Sequence, residues 1–72
     1  MKRRFYLNRS EHIPGRSSKA WTVGGILERV DGKNVLGCME VSIMGASKYD
    51  ALCTLDDRLK MWGVTPEDIF TA

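Results

Sequence analysis

The sequence predicts an α+β domain in which a three-stranded, mainly antiparallel β-sheet carries one amphipathic α-helix on one face, in the order βββα, before a short C-terminal helical turn. Three observations support this fold class. Two stretches rich in β-branched residues flank an Asp-Gly pair, a shorter alternating stretch precedes them, and an apolar stripe with helical spacing follows them. The 72 residues are expected to form a single domain, 1–72. Because a chain this short buries only about 60% of its unfolded surface, we expect self-association or a partner to complete the core.

The first strand is predicted over Lys2–Leu7, where apolar and polar residues alternate. Phe5 and Leu7 are expected to point inward. Residues 8–20 have no apolar period, and Pro14-Gly15 suits the centre of a type II turn. We therefore expect an exposed basic loop at 8–20, and uncommitted loops of this length are often functional.

A long antiparallel hairpin is predicted from Trp21–Val30 and Asn34–Met44, because Asp31-Gly32 between them is a strong turn signal. The number of residues in the loop decides which residues of the two strands lie on the same face of the hairpin, and we expect an even number. A three-residue loop would instead pair each face of the first strand with the other face of the second strand, and Gly24-Gly25 is a candidate bulge that shifts the register.

With an even-numbered loop, one face of the hairpin is the more apolar, and we expect the helix to cover it. This face holds Thr22, Gly24, Ile26, Glu28 and Val30 with Val35, Gly37, Met39, Val41 and Ile43. The opposite face is too apolar to be simply solvated, and a contiguous patch of this kind usually marks an interface. The candidate partner-binding residues there are Trp21, Val23, Leu27, Leu36 and Met44. The alternative is that the N-terminal strand and the loop fold over this patch.

The helix is predicted over the stretch Ser47–Gly63. Ser47 suits the N-cap, Asp50 lies three residues later at the positive end of the helix dipole, and Gly63 supplies a left-handed stop. Apolar residues at steps of three and four form the stripe expected to pack on the sheet, namely Tyr49, Leu52, Leu55, Leu59 and Trp62, with Ala51 at its edge.

A second, shorter helical start follows the first helix. Thr65 is a candidate N-cap with Pro66 at the first helical position, and we expect one terminal turn that lays Ile69 and Phe70 against the edge of the core.

The residues that usually carry catalysis or bind metals are sparse and scattered. His12 is the single histidine, and Cys38 and Cys53 lie fifteen residues apart without the close ligand pairs of structural zinc sites. No phosphate-binding glycine pattern occurs. We expect no enzymatic activity, no cofactor, no metal and two reduced cysteines that act as small buried hydrophobes. The absence of a long apolar run or a signal-peptide core predicts a cytoplasmic protein without membrane contact.

Positive charge is concentrated at the front of the chain, although the net charge is only +2. A cluster of cations and one aromatic residue is a candidate surface for a protein partner or for nucleic acid, and it consists of Arg3, Arg4, Tyr6, Arg9, Arg16 and Lys19. The simpler interpretation is a solvated N-terminus, which the modest sequence pI of about 8.7 favours.

Two resemblances bear on function. The order of sheet and helix is similar to that of double-stranded RNA-binding domains, but the first helix of that family and its Lys-rich helix start have no counterpart here. In size and layout the chain resembles the small accessory and inhibitor proteins of bacteriophages and mobile elements, anti-CRISPR proteins among them. That resemblance implies a non-enzymatic protein-interaction module that docks on a larger host complex, often a nucleoprotein. The alternative is a small nucleic-acid-binding protein that uses the basic N-terminal strand and loop.

Overall fold

The computed structural model describes residues 2–13 and 20–71. The elements are β1 (Lys2–His12), β2 (Trp21–Asp31), β3 (Asn34–Gly45), α1 (Lys48–Met61), a 3₁₀ turn (Pro66–Asp68) and β4 (Ile69–Thr71). The strands form one sheet in the order β3-β2-β1-β4, in which β1, β2 and β3 are antiparallel and β4 runs parallel to β1. The predicted α+β class is confirmed. The short parallel strand β4 is an addition to the three strands predicted.

Strand β1 extends to His12, so the prediction of a loop beginning at residue 8 is wrong for residues 8–12. The pairing with β2 continues to the end, where His12 lies opposite Trp21. Polar side chains are compatible with a strand here because one face of an antiparallel sheet can remain in water. The predicted turn at Pro14-Gly15 lies outside the described residues.

The ladder between β1 and β2 shifts register where Gly24-Gly25 suggested a bulge. Leu7 pairs with Gly25 and Arg9 pairs with Gly24, which leaves Asn8 as the extra residue. The irregularity is therefore opposite the glycine pair and is carried by β1.

The β2–β3 hairpin contains a second register shift, and this one overturns the predicted faces. The even-numbered loop is confirmed, because Asp31 pairs with Asn34 across a two-residue turn in which Gly32 has φ 61°. One step further, Val30 pairs with Val35 while the next pair is Arg29 with Gly37. Leu36 is thus an extra residue, and beyond it odd-numbered residues of β2 share a face with odd-numbered residues of β3.

The helix consequently covers the β2 residues that were predicted to be free, together with the β3 residues that were predicted to be covered, such as Val41 and Ile43. Val23 and Leu27 of β2 are buried beneath α1, and neither can belong to an exposed patch. The buried cluster contains Phe5, Val23, Leu27, Val41, Ala51, Leu55, Leu59 and Val64. Leu52 and Trp62 are half-buried against this cluster, as the predicted stripe requires, but Tyr49 is 75% exposed and does not belong to it.

Both predicted ends of α1 are confirmed. The hydroxyl of Ser47 accepts a hydrogen bond from the Asp50 amide at 3.1 Å. At the other end Gly63 has φ 76°, its amide donates to the Lys60 carbonyl, and the Val64 amide donates to the Leu59 carbonyl at 2.9 Å. These two bonds form a Schellman motif.

The segment after α1 ties the C-terminal strand to the start of β1. Asp68 is buried within the 3₁₀ turn, where its carboxylate accepts a hydrogen bond from the Thr65 hydroxyl at 2.8 Å and lies 3.2 Å from Lys2 Nζ. The Thr65 hydroxyl is the main cause that holds the pKa of Asp68 below its ordinary value, and Lys2 acts in the same direction. Ile69 then packs on the core as predicted, whereas Phe70 lies on the other face of the sheet.

Candidate interaction surfaces

The sheet has one face that no element in the described part of the chain covers, and we call it the open face. Alternation along the paired strands places these side chains on it: Lys2, Arg4, Tyr6, Arg9 and Glu11 of β1, Thr22, Ile26, Glu28 and Val30 of β2, Val35, Cys38, Glu40, Ser42 and Met44 of β3, and Phe70 of β4. The helix packs on the opposite face. An uncovered face of this size in so small a domain is a candidate interface.

An aromatic pair lies near one edge of the open face. Tyr6 and Phe70 are cross-strand neighbours whose ring centroids lie 5.2 Å apart, with an interplanar angle of 22°. The guanidinium of Arg4 lies 5.9 Å from the centroid of the Tyr6 ring, within the range of a cation–π contact. Phe70 remains 41% exposed, so the pair presents apolar ring surface to solvent.

Both arginines of the open face are paired with glutamates of the same face. Arg4 lies 3.2 Å from Glu28 on the neighbouring strand, and Arg9 reaches across Gly24 to lie 3.3 Å from Glu40 on β3. With Glu11, the face carries two arginines and three glutamates, and Lys2 on the same face lies 3.2 Å from Asp68. It therefore has no excess of positive charge to attract phosphate groups.

The predicted apolar patch is not a single surface. Val23 and Leu27 are buried in the core, and Trp21 is half-buried on the helix side, where its ring lies 5.3 Å from Lys48 Nζ and 6.1 Å from the His12 ring. Met44 is 72% exposed on the open face. Leu36 is exposed at the bulge. The physical reason for the dispersal is the extra residue at Leu36, which exchanged the two sets of β2 residues.

The predicted basic front is divided between the two sides of the sheet. Arg4, Tyr6 and Arg9 come together on the open face, whereas Arg3 lies on the helix side and donates from Nη1 to the Trp62 carbonyl at 2.8 Å. Arg16 and Lys19 lie outside the described residues.

Several open-face residues were not among the predicted site residues. Ile26 was expected beneath the helix, and Phe70 reaches the face only because three C-terminal residues pair with β1. Regular alternation past Leu7 would place Arg9 on the helix side, and only the extra residue Asn8 brings it to the open face. No local signal in Ile69–Thr71 indicates a parallel strand.

The outer strand β3 adds a second feature. It is twelve residues long and forms one edge of the sheet. The large apolar residues Val35, Leu36 and Met39 on this strand are each more than half exposed to solvent. An edge of this length presents backbone donors and acceptors that another strand can pair with.

The cysteines, the histidine and the acidic residues bear on a possible metal site. Cys38 and Cys53 are both exposed free thiols, so the prediction that they are buried hydrophobes is wrong. Within residues 2–13 and 20–71, no three His, Cys, Asp or Glu side chains lie close enough to hold a metal ion. In the same ranges, no helix is long and apolar enough to cross a membrane.

Comparison of the chain with known protein families, with curated proteins and with solved structures finds no significant match.

Proposed function

We propose that this protein is a non-enzymatic interaction module that docks on a larger protein complex through the open face of its sheet. The observation that carries the proposal is the combination of an exposed aromatic pair, Tyr6 and Phe70, with arginines that are already neutralised by glutamates. Aromatic residues and arginines are the types most enriched at the energetic centres of protein interfaces.

The same surface gives less support to direct binding of nucleic acid. Aromatic rings on a sheet can stack on bases, but such sites also track the phosphate backbone with unpaired cations. Among the described residues, the cations of the open face are Lys2, Arg4 and Arg9, and each is within 3.3 Å of a carboxylate. A protein partner with apolar groups and a few hydrogen-bonding groups fits this surface better. An accessory or inhibitor role of the kind its layout resembles is consistent with that partner.

The experiment compares capture of partners by the tagged wild type, Phe70→Ala and Tyr49→Ala. The two variants each lose one exposed aromatic ring, from the open face and from the outer side of α1 respectively. Phe70→Ala is expected to weaken binding to the purified captured protein by about 30-fold, equivalent to about 2 kcal/mol, while Tyr49→Ala binds like the wild type. Urea unfolding of each variant verifies that it remains folded.

Treatment with nuclease and 0.5 M salt distinguishes the two classes of partner. Capture that survives both treatments and depends on Phe70 supports protein docking. Capture that nuclease abolishes, or equal losses from the two variants, would refute docking through this face.

A second copy of the chain is one candidate protein partner for the open face. Sedimentation velocity of the wild type and Phe70→Ala over a wide concentration range tests this occupant. A dimer that only the wild type forms would assign the face to self-association, and a monomer at every concentration would assign it to another protein.

A further inference from the structure

A groove on the helix side of the sheet contains two arginines that no acidic residue in the described part of the chain neutralises. We call it the arginine groove. It has a volume of about 360 Å³, and its lining includes Arg3, Leu27, Arg29, Gly37, Met39 and Trp62. It lies beyond the C-terminal end of α1, on the side of the sheet opposite the open face.

Arg3 and Arg29 are directly opposite each other in the β1–β2 ladder. Directly opposed like charges destabilise a sheet, since the side chains on such paired positions start only about 5 Å apart. Within the described residues neither arginine forms an ion pair, although every other arginine of the sheet does. The Trp62 carbonyl, at the negative end of the helix dipole, accepts one hydrogen bond from Arg3 and offsets part of its charge. Arg29 has no comparable acceptor among residues 2–13 and 20–71.

Gly37 makes room for the second guanidinium. A Cβ atom at Gly37 would lie 3.3 Å from Arg29 Nη2, so the Arg29 side chain lies across the backbone of β3 at this point. The apolar side of the groove is formed by Leu27, Met39 and Trp62. Two guanidinium groups beside an aromatic and aliphatic wall are suited to a ligand that combines an oxyanion with an apolar body.

We propose that the arginine groove binds a small organic anion in which a phosphate or carboxylate group is attached to an aromatic or aliphatic group. The oxyanion lies between Arg3 and Arg29 and relieves their mutual repulsion. The apolar part of the ligand contacts Trp62 and Met39. The volume corresponds to the lower end of pockets for small ligands, which favours a molecule of about this size over an extended polymer.

The test is a titration of the isotopically labelled protein with phenyl phosphate, benzoate and inorganic phosphate, followed by two-dimensional NMR. Phenyl phosphate and benzoate report on the two oxyanions, and inorganic phosphate lacks the apolar part. We expect the Gly37 amide and the Trp62 indole to shift with phenyl phosphate, while the Trp21 indole at the far end of the sheet does not. Inorganic phosphate is expected to bind at least about tenfold more weakly.

Arg29→Gln and Lys33→Gln form a matched pair, because each removes one exposed positive charge and only Arg29 lines the groove. Loss of a charge-assisted hydrogen bond predicts at least about a tenfold weaker affinity for phenyl phosphate in Arg29→Gln. Lys33→Gln is expected to remain within twofold of the wild type. Arg29→Gln should fold at least as well as the wild type, since it removes the repulsion with Arg3.

Three outcomes would overturn the proposal. The first is the absence of shifts at Gly37 and Trp62 with up to 10 mM phenyl phosphate or benzoate. The second is an equal loss of affinity in Arg29→Gln and Lys33→Gln, which would indicate non-specific attraction. The third is much tighter binding of a short oligonucleotide that both variants weaken alike, which would assign the charge to a phosphate backbone.

Discussion

Replacement of Leu59 by Ala tests the packing of α1 on the sheet. Leu59 is 3% exposed and lies in the buried cluster with Phe5, Val23 and Leu27. Truncation removes three buried carbon atoms and leaves a cavity, and such changes cost about 2–5 kcal/mol. A domain of 72 residues has about 4–11 kcal/mol of stability in total. The substitution is therefore expected to remove a large fraction of the free energy of unfolding.

Urea unfolding, followed by tryptophan fluorescence and circular dichroism, measures this loss. Small domains have a denaturant slope of about 1 kcal/mol per M urea, so the midpoint should fall by about 2 M or more. Tyr49→Ala and Asp57→Ala are the controls on the same helix. Both side chains are exposed, and each variant should unfold within about 0.5 kcal/mol of the wild type.

The comparison between Leu59 and Tyr49 is the informative one, because both belong to the apolar stripe predicted from the sequence. An unchanged midpoint for Leu59→Ala would show that α1 does not pack through this side chain. If Tyr49→Ala lost as much unfolding free energy as Leu59→Ala, α1 would have to be rotated about its axis so that Tyr49 also faces the sheet.

Two further predictions concern the backbone of the sheet and its dependence on pH. A Cβ atom at Gly25 would collide with the backbone of β1, whereas one at Gly37 meets only a flexible side chain, so Gly25→Ala should abolish cooperative thermal unfolding while Gly37→Ala unfolds near the wild-type temperature. Because Thr65 and Lys2 lower the pKa of Asp68, its carboxylate stabilises the fold fully above the ordinary aspartate pKa of 3.8, and this contribution is lost as pH falls through the lower folded-state pKa. Asp68→Asn should therefore be less stable than the wild type at pH 7, and the difference should shrink in acid; a constant difference from pH 7 to pH 2 would contradict this role.

The features that are determined by residues adjacent in the sequence were predictable. The N-cap at Ser47 and the stop at Gly63 are local signals, and both ends of α1 are where those residues placed them. The Asp31-Gly32 signal likewise located the hairpin, because turn geometry depends on a few adjacent residues. These predictions required no knowledge of tertiary contacts.

The surfaces depend on tertiary pairing, and for that reason they were not predictable. One extra residue at Leu36 decides whether Leu27 lies beneath the helix or in solvent, and no residue type at that position specifies a bulge. Phe70 reaches the open face through a three-residue parallel strand whose partner lies more than sixty residues earlier. The opposition of Arg3 and Arg29 has the same origin, since it follows from the register of β1 on β2.

The two bulges also determine which changes in chain length the sheet can tolerate. Asn8 and Leu36 are the residues without a partner in their ladders, so a deletion of either one would leave a regular ladder with every core side chain on its present face. Deletion of a paired residue from the middle of a strand would instead move every following side chain of that strand to the opposite face of the sheet. A homologous chain that is shorter by one residue within these strands is therefore expected to lack one of these two positions, and alignments should place their gaps there.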